Sequence, residues 1–195
     1  MNSKETYITV ALLAIGALLN FGYPVVAEAF AIPVGMEFVI IAYCLIVMLV
    51  PLRMVQVIGI GVLAGILNIL SDAVHLTTIM NDHATRSALC MALSNLISEP
   101  IGITVCFLAF VYLAARTTRA VAPFAAAFLA TMGSGLAYLA MIFLLNPGLI
   151  AAQPTYTEIF LFRVVVAAVV NAVVVQIVFM AVGGPVKAYL GGPAG

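Results

Sequence analysis

Six long apolar runs follow one another with hardly a charge inside them, and a chain built this way has one solvent in which it can fold. The runs lie near residues 7–30, 34–51, 54–80, 86–115, 119–145 and 158–186. They are broken at Pro33, at Pro51-Leu52-Arg53, at Asn81-Asp82-His83, at Arg116-Thr117-Thr118-Arg119 and at Asn146-Pro147-Gly148. Crossing the hydrocarbon layer of a bilayer takes about 20 apolar residues in a helix, which satisfies every backbone group without water. Hydrophobic residues make up 66% of the 195 and mean hydropathy is +1.28, whereas a soluble domain is roughly 45–50% apolar. The strict apolar–polar alternation of a membrane β-barrel is missing. The expected fold is an all-α integral membrane protein, one transmembrane domain over residues 1–195 with six spanning helices.

The positions of the basic residues give an orientation. With six crossings, Lys4, Arg53, Arg116, Arg119 and Lys187 share one side, and only Arg86 and Arg163 belong to the other. Positively charged segments stay in the cytoplasm, so both termini are expected there, in the cell membrane. The outer side and outer half-helices then hold Glu28, Glu37, Asp72, Asp82, Glu158, His75 and His83. Residues 1–31 have the basic start and small-residue Ala29-Phe30-Ala31 end of a secretory signal, but their apolar stretch is too long for one. The formal net charge is zero, and nucleic acid is not an expected partner.

Polar groups inside the runs are the candidate functional residues, because each one is costly in lipid. In the third run, Gly61, Gly65, Asn68, Asp72 and His75 advance by four, three, four and three, which sets them on one helical stripe. The two glycines read as a close helix-packing surface, and Asn68 and Asp72 either as an interhelical hydrogen bond or as the wall of an outward pocket. In the fourth run, Asn95 and Glu99 are one turn apart, with Ser87, Ser94 and Ser98 on the neighbouring strip. Glu99 lies about 20 Å down the helix from Arg86, near mid-membrane, where an ionised carboxylate costs at least about 2.5–3.5 kcal/mol. A partner, a cation, a proton or a wet cavity must offset that cost. Pro100 follows it and leaves the carbonyl of Leu96 without its helical donor. In the last run Arg163, Ala167 and Asn171 share a face. Arg163 either snorkels to the head groups or clamps an anionic group. The fifth run carries the ladder Ala122, Ala126, Ala130, Ser134 and Tyr138, a packing surface whose last two members reach the outer half.

Cys44, Cys90 and Cys106 lie singly inside apolar runs and read as packing residues. His75, Asp82 and His83 are spaced loosely across an outer loop, so no metal site and no cofactor are expected. The candidate pocket is lined by Asn68, Asp72, Asn95, Glu99, Tyr138, Arg163 and Asn171. With tryptophan absent, stacking falls to Tyr138, Tyr156, Phe160 and Phe162.

The order of features resembles the substrate-binding S components of energy-coupling factor (ECF) transporters, small six-helix proteins that capture vitamins and other micronutrients. The similar stretches are the small-residue start Ala11-Leu12-Leu13-Ala14-Ile15-Gly16-Ala17, the loop Ile32-Pro33-Val34-Gly35 before an apolar second helix, and Gly59-Ile60-Gly61-Val62-Leu63-Ala64-Gly65 before a polar outer end. The resemblance implies an outward-facing pocket and no enzyme activity. It also implies a transmembrane coupling subunit docked through Ala11, Ala14 and Ala17, and two cytoplasmic ATPases that supply the energy; the chain has no phosphate-binding Gly-x-x-x-x-Gly-Lys-Ser/Thr run of its own.

Two other classes stay open. A stand-alone ion or metal permease would use Glu99, Asp72 and His75. An intramembrane hydrolase would use Ser134 of Gly133-Ser134-Gly135 with His75 or His83, although Ser134 sits in a packing ladder and the chain has no histidine at mid-helix depth.

Overall fold

A computed structural model describes residues 1–29, 36–76, 82–118, 121–148 and 156–191, and the side chains of these except at 24–29, 72–76, 82–89, 156, 157 and 159. Its helices are α1 (Ser3–Ala29), α2 (Phe38–Leu49), α3 (Met54–Leu76), α4 (Asp82–Ala114), α5 (Ala122–Leu145) and α6 (Tyr156–Leu190). Five of them contain spans long and apolar enough to cross a membrane: Ser3–Tyr23, Met54–Ser71, Cys90–Ala114, Ala122–Leu145 and Phe160–Leu190. This is a multi-helix membrane protein.

The second run departs from expectation. Its helix covers only the 12 residues Phe38–Leu49, about 18 Å at the usual helical rise, against roughly 30 Å of hydrocarbon. Glu37 is already outside the helix, and Val50 is extended (φ −112°, ψ 132°), the conformation that a following proline imposes on its predecessor. In place of six equivalent spans, the bundle has five long helices and one short one.

The short helix is the centre of the molecule. It touches all five others, while α1 packs on α3, α3 on α4, α4 on α5 and α5 on α6. The ring closes where the Lys4 ammonium donates to the Tyr189 carbonyl at 2.9 Å, which sets the start of α1 beside the end of α6. Every residue from Val39 to Val50 is buried. A helix apolar on all sides suits a protein interior as well as it suits lipid. The outer helices instead turn Leu18, Val55, Leu144, Phe162 and Met180 outward.

Glycine sets the closest approaches in the ring. A Cβ at Gly61 would lie 2.6 Å from Pro100 Cα, one at Gly65 would lie 2.9 Å from the Asn95 carbonyl oxygen, and one at Gly16 would lie 2.6 Å from Ala42 Cβ. The Gly61/Gly65 stripe is therefore the α3–α4 packing surface expected of it. The small face of α5 is likewise buried at Ala122, Ala126, Ala130 and Ser134.

Helix ends are closed locally. At the start of α1 the Asn2 side chain accepts from the Glu5 N–H (2.9 Å), and the Glu5 carboxylate accepts from the Asn2 N–H (2.7 Å), a reciprocal capping pair. At the start of α5 the orphan N–H of Phe124 donates to Gln176 Oε1 of α6 at 3.1 Å, so one side chain closes a neighbouring helix. All three cysteines are free, with Cys44 and Cys106 in the core.

Candidate functional site

Polar side chains from all six described helices meet in the middle of this apolar bundle. Glu99 of α4 is 3% exposed, and its Oε1 accepts from Asn68 Nδ2 of α3 at 2.8 Å. Asn68 Oδ1 in turn accepts from Asn20 Nδ2 of α1 at 3.3 Å. The Asn68 amide thus uses both ends, its NH2 donating to Glu99 and its carbonyl oxygen accepting from Asn20. A second relay runs beside it. The Glu37 N–H donates to Asn171 Oδ1 of α6 (3.4 Å), Asn171 Nδ2 donates to Thr131 Oγ1 of α5 (3.3 Å), and Thr131 donates to its own helix at the Ala127 carbonyl (3.1 Å).

Tyr43 of the central helix and Ser134 of α5 face the same carboxylate. Both converge over Gly102, nearly one turn beyond Glu99, where a Cβ would lie 2.5 Å from Tyr43 Oη and 2.8 Å from Ser134 Cβ. Tyr43 Oη and Glu99 Oε2 are nonetheless both buried without a hydrogen bond of acceptable geometry. Glu37, half-buried at the start of α2, is close enough to Glu99 to act on it electrostatically.

Of the expected pocket residues, Asn68, Glu99 and Asn171 therefore belong to the two relays. Asn95 is buried one turn from Glu99. Tyr138 stacks on Phe160 with ring centroids 5.6 Å apart and planes 8° from parallel. Arg163 is exposed on α6, two turns from Asn171, and stays outside the buried cluster. Asp72, His75, Asp82, His83 and Arg86 lie on helices, but their side chains are outside the described residues, and so are Arg119 and Ala31. Among the described residues no group of three His, Cys, Asp or Glu side chains converges on a metal position.

Several roles escape a reading of the sequence. Asn20, Glu37, Tyr43 and Thr131 all join the cluster, and Gln176 caps α5. The hydroxyls of Ser94 and Thr104 turn back on their own helix, to the carbonyls of Cys90 and Pro100, both at 2.7 Å. Serine and threonine commonly satisfy themselves this way in apolar helices. On α1, Ala14 is exposed, Ala11 half-buried and Ala17 buried.

A cavity of about 1230 Å³ lies at the opposite end of the bundle, beside the start of α1 and the end of α6. Val47 to Leu52, Phe107, Phe110, Phe179 and Lys187 are among its lining residues. It is not the outward pocket expected around Asn68 and Glu99. Residues 30–35, 77–81 and 149–155 are outside the described residues.

No family model, curated protein or solved structure matches the chain.

Proposed function

We propose that the chain is the substrate-capturing membrane subunit of an ECF-type importer for a vitamin or other small micronutrient. Its ligand binds at the polar cluster around Glu99, reached from the side of the membrane away from the termini. The observation that carries this reading is the Asn20–Asn68–Glu99 relay beside the Glu37–Asn171–Thr131 relay. Five helices and the residue that opens α2 spend polar groups on one locus in a bundle that lipid would otherwise reward for being apolar. Ligand sites in helical bundles are built this way, from side chains on facing helices.

In this reading the chain crosses the cell membrane six times, α2 with its flanking residues making one crossing, and both termini are cytoplasmic. The contact between Lys4 and Tyr189 and the basic residues Lys4, Arg53, Arg116, Arg119 and Lys187 support that orientation. Cysteines introduced at Asp82 and Thr117, in a background lacking the native three, are expected to label from opposite sides. Labelling of both from one side rejects six crossings.

A coupling subunit and two ATPases supply energy in this reading, with the exposed Ala14 face of α1 as the docking surface. A thermal-shift screen of the detergent-solubilised protein against vitamins, amino acids and divalent metals tests ligand capture, because a ligand that binds only the folded state raises the melting temperature. Asn95→Ala is expected to weaken binding of the ligand so identified by about tenfold, with the fold retained, whereas Arg163→Ala, outside the buried cluster, leaves it unchanged. Unchanged affinity at Asn95→Ala removes that residue from the site. The two acids of the cluster equally suit a stand-alone ion permease, and uptake into vesicles without ATP would favour that second reading.

A further inference from the structure

Glu99 presents a buried oxygen that no well-aligned donor holds. Asn68 satisfies Oε1, while neither Oε2 nor the Tyr43 hydroxyl, which is 0% exposed and lies close to the same carboxyl, makes a hydrogen bond of good geometry. Ser134 comes up beside Tyr43 over Gly102. The surroundings of Oε2 are therefore rich in oxygen: a phenol and an alcohol beside the carboxyl itself. A buried oxygen left without a partner is costly, and more so if it is charged.

The sign of a group that would suit this position follows from its surroundings. Glu37 adds a second carboxylate acting on Glu99, and the described basic side chains Lys4, Arg53, Arg116 and Lys187 belong to the far end of the bundle, while Arg163 is exposed. An anion would meet repulsion from both acids in a medium that screens poorly. The donor set also bears on size and charge. Two carboxylates with neutral hydroxyls and amides are hard oxygen ligands, and no three His, Cys, Asp or Glu side chains converge among the described residues, which disfavours a transition-metal centre.

We propose that Glu99, with Glu37 beside it, binds one small monovalent cationic group at Oε2, with Tyr43 Oη and Ser134 Oγ as neutral oxygen ligands. The group is either a free alkali ion or the ammonium end of a larger ligand. The inference rests on the cluster being the binding site, and it adds the charge of what binds there.

The experiment is thermal unfolding of the full chain in a nonionic detergent, with sodium, potassium, ammonium, methylammonium and tetramethylammonium chlorides at matched ionic strength. A saturable rise in melting temperature is expected with one or more of the first four and not with tetramethylammonium, which has no N–H and is too large. A response to sodium or potassium alone identifies an alkali ion. A response to ammonium and methylammonium alone identifies an ammonium group. Glu99→Gln is expected to weaken the response about ten- to a hundredfold, because it removes the charge and keeps the shape.

Should Glu99→Gln fail to fold, Tyr43→Phe removes one oxygen only and is expected to weaken the response severalfold. No cation-selective rise in the wild type overturns the proposal, as does an equal rise in wild type and both variants. Stabilisation of wild type and Glu99→Gln alike by a neutral or anionic micronutrient overturns the cation while leaving ligand capture intact. A shift that follows ionic strength alone means the open oxygen holds water only, and also overturns it.

Discussion

Gly61→Leu is expected to prevent the bundle from packing, whereas Gly59→Leu, two residues earlier on the same helix, leaves it intact. The difference is geometric. A Cβ at Gly61 meets the Pro100 backbone at 2.6 Å and Ile103 Cγ2 at 2.7 Å, while a Cβ at Gly59 meets nothing within 4 Å. Pro100 cannot move aside, because its ring already fixes the local backbone of α4. Overpacking an interior commonly costs about 1–3 kcal/mol, and a whole leucine pressed on a fixed backbone falls at or above the top of that range. Gly59 is exposed, and a leucine there also favours helix, so its effect stays within about 0.5 kcal/mol. Size-exclusion profiles and thermal unfolding in detergent read both variants. Similar behaviour of the two would mean that α3 and α4 do not approach as closely as described.

The second large effect is expected at Asn68. Asn68→Leu keeps the branched shape and removes the hydrogen bond donated to Glu99 Oε1. Leaving a buried carboxyl oxygen without its donor costs about 1–3 kcal/mol, and more if the group is charged. Glu99→Leu alone leaves the Asn68 amide without its acceptor, a loss of about 1–3 kcal/mol. The double variant removes both ends together, so it is expected to be less destabilised than the sum of the singles by about 1–3 kcal/mol. Strictly additive losses would mean that the two side chains do not interact.

Much of this arrangement is legible in the residues, and what is not has a physical reason. Asn68, Asn95, Glu99 and Asn171 stand out because a polar group in an apolar run needs a partner, and each is buried. The spacing of Gly61 and Gly65 likewise leads to the surface they form. Tyr43 is different. It sits in a run of apolar neighbours, where a tyrosine reads as bulk, and only the position of α2 against α4 and α5 turns its hydroxyl to Glu99. Glu37 reads as a loop acid, because its approach to Glu99 depends on where the chain enters the bundle. Arg163 carries the charge expected of a ligand clamp, yet an arginine near a helix end can keep its head at the surface, and here it is exposed. The central position of α2 is hidden for a deeper reason: lipid and protein interior demand the same apolar residues, so a uniformly apolar run does not tell which one surrounds it.

That enclosed helix also constrains how the protein is made. α2 leaves the ribosome before α4, α5 and α6, so its contacts with them cannot form until those helices have been synthesised. In the meantime a helix of 12 residues, shorter than the bilayer it enters, has to wait beside α1, with the Tyr43 hydroxyl and Glu37 not yet met by Glu99 and Asn171. A chain lacking α6 would miss one wall of the ring and leave the face of α2 that packs there uncovered.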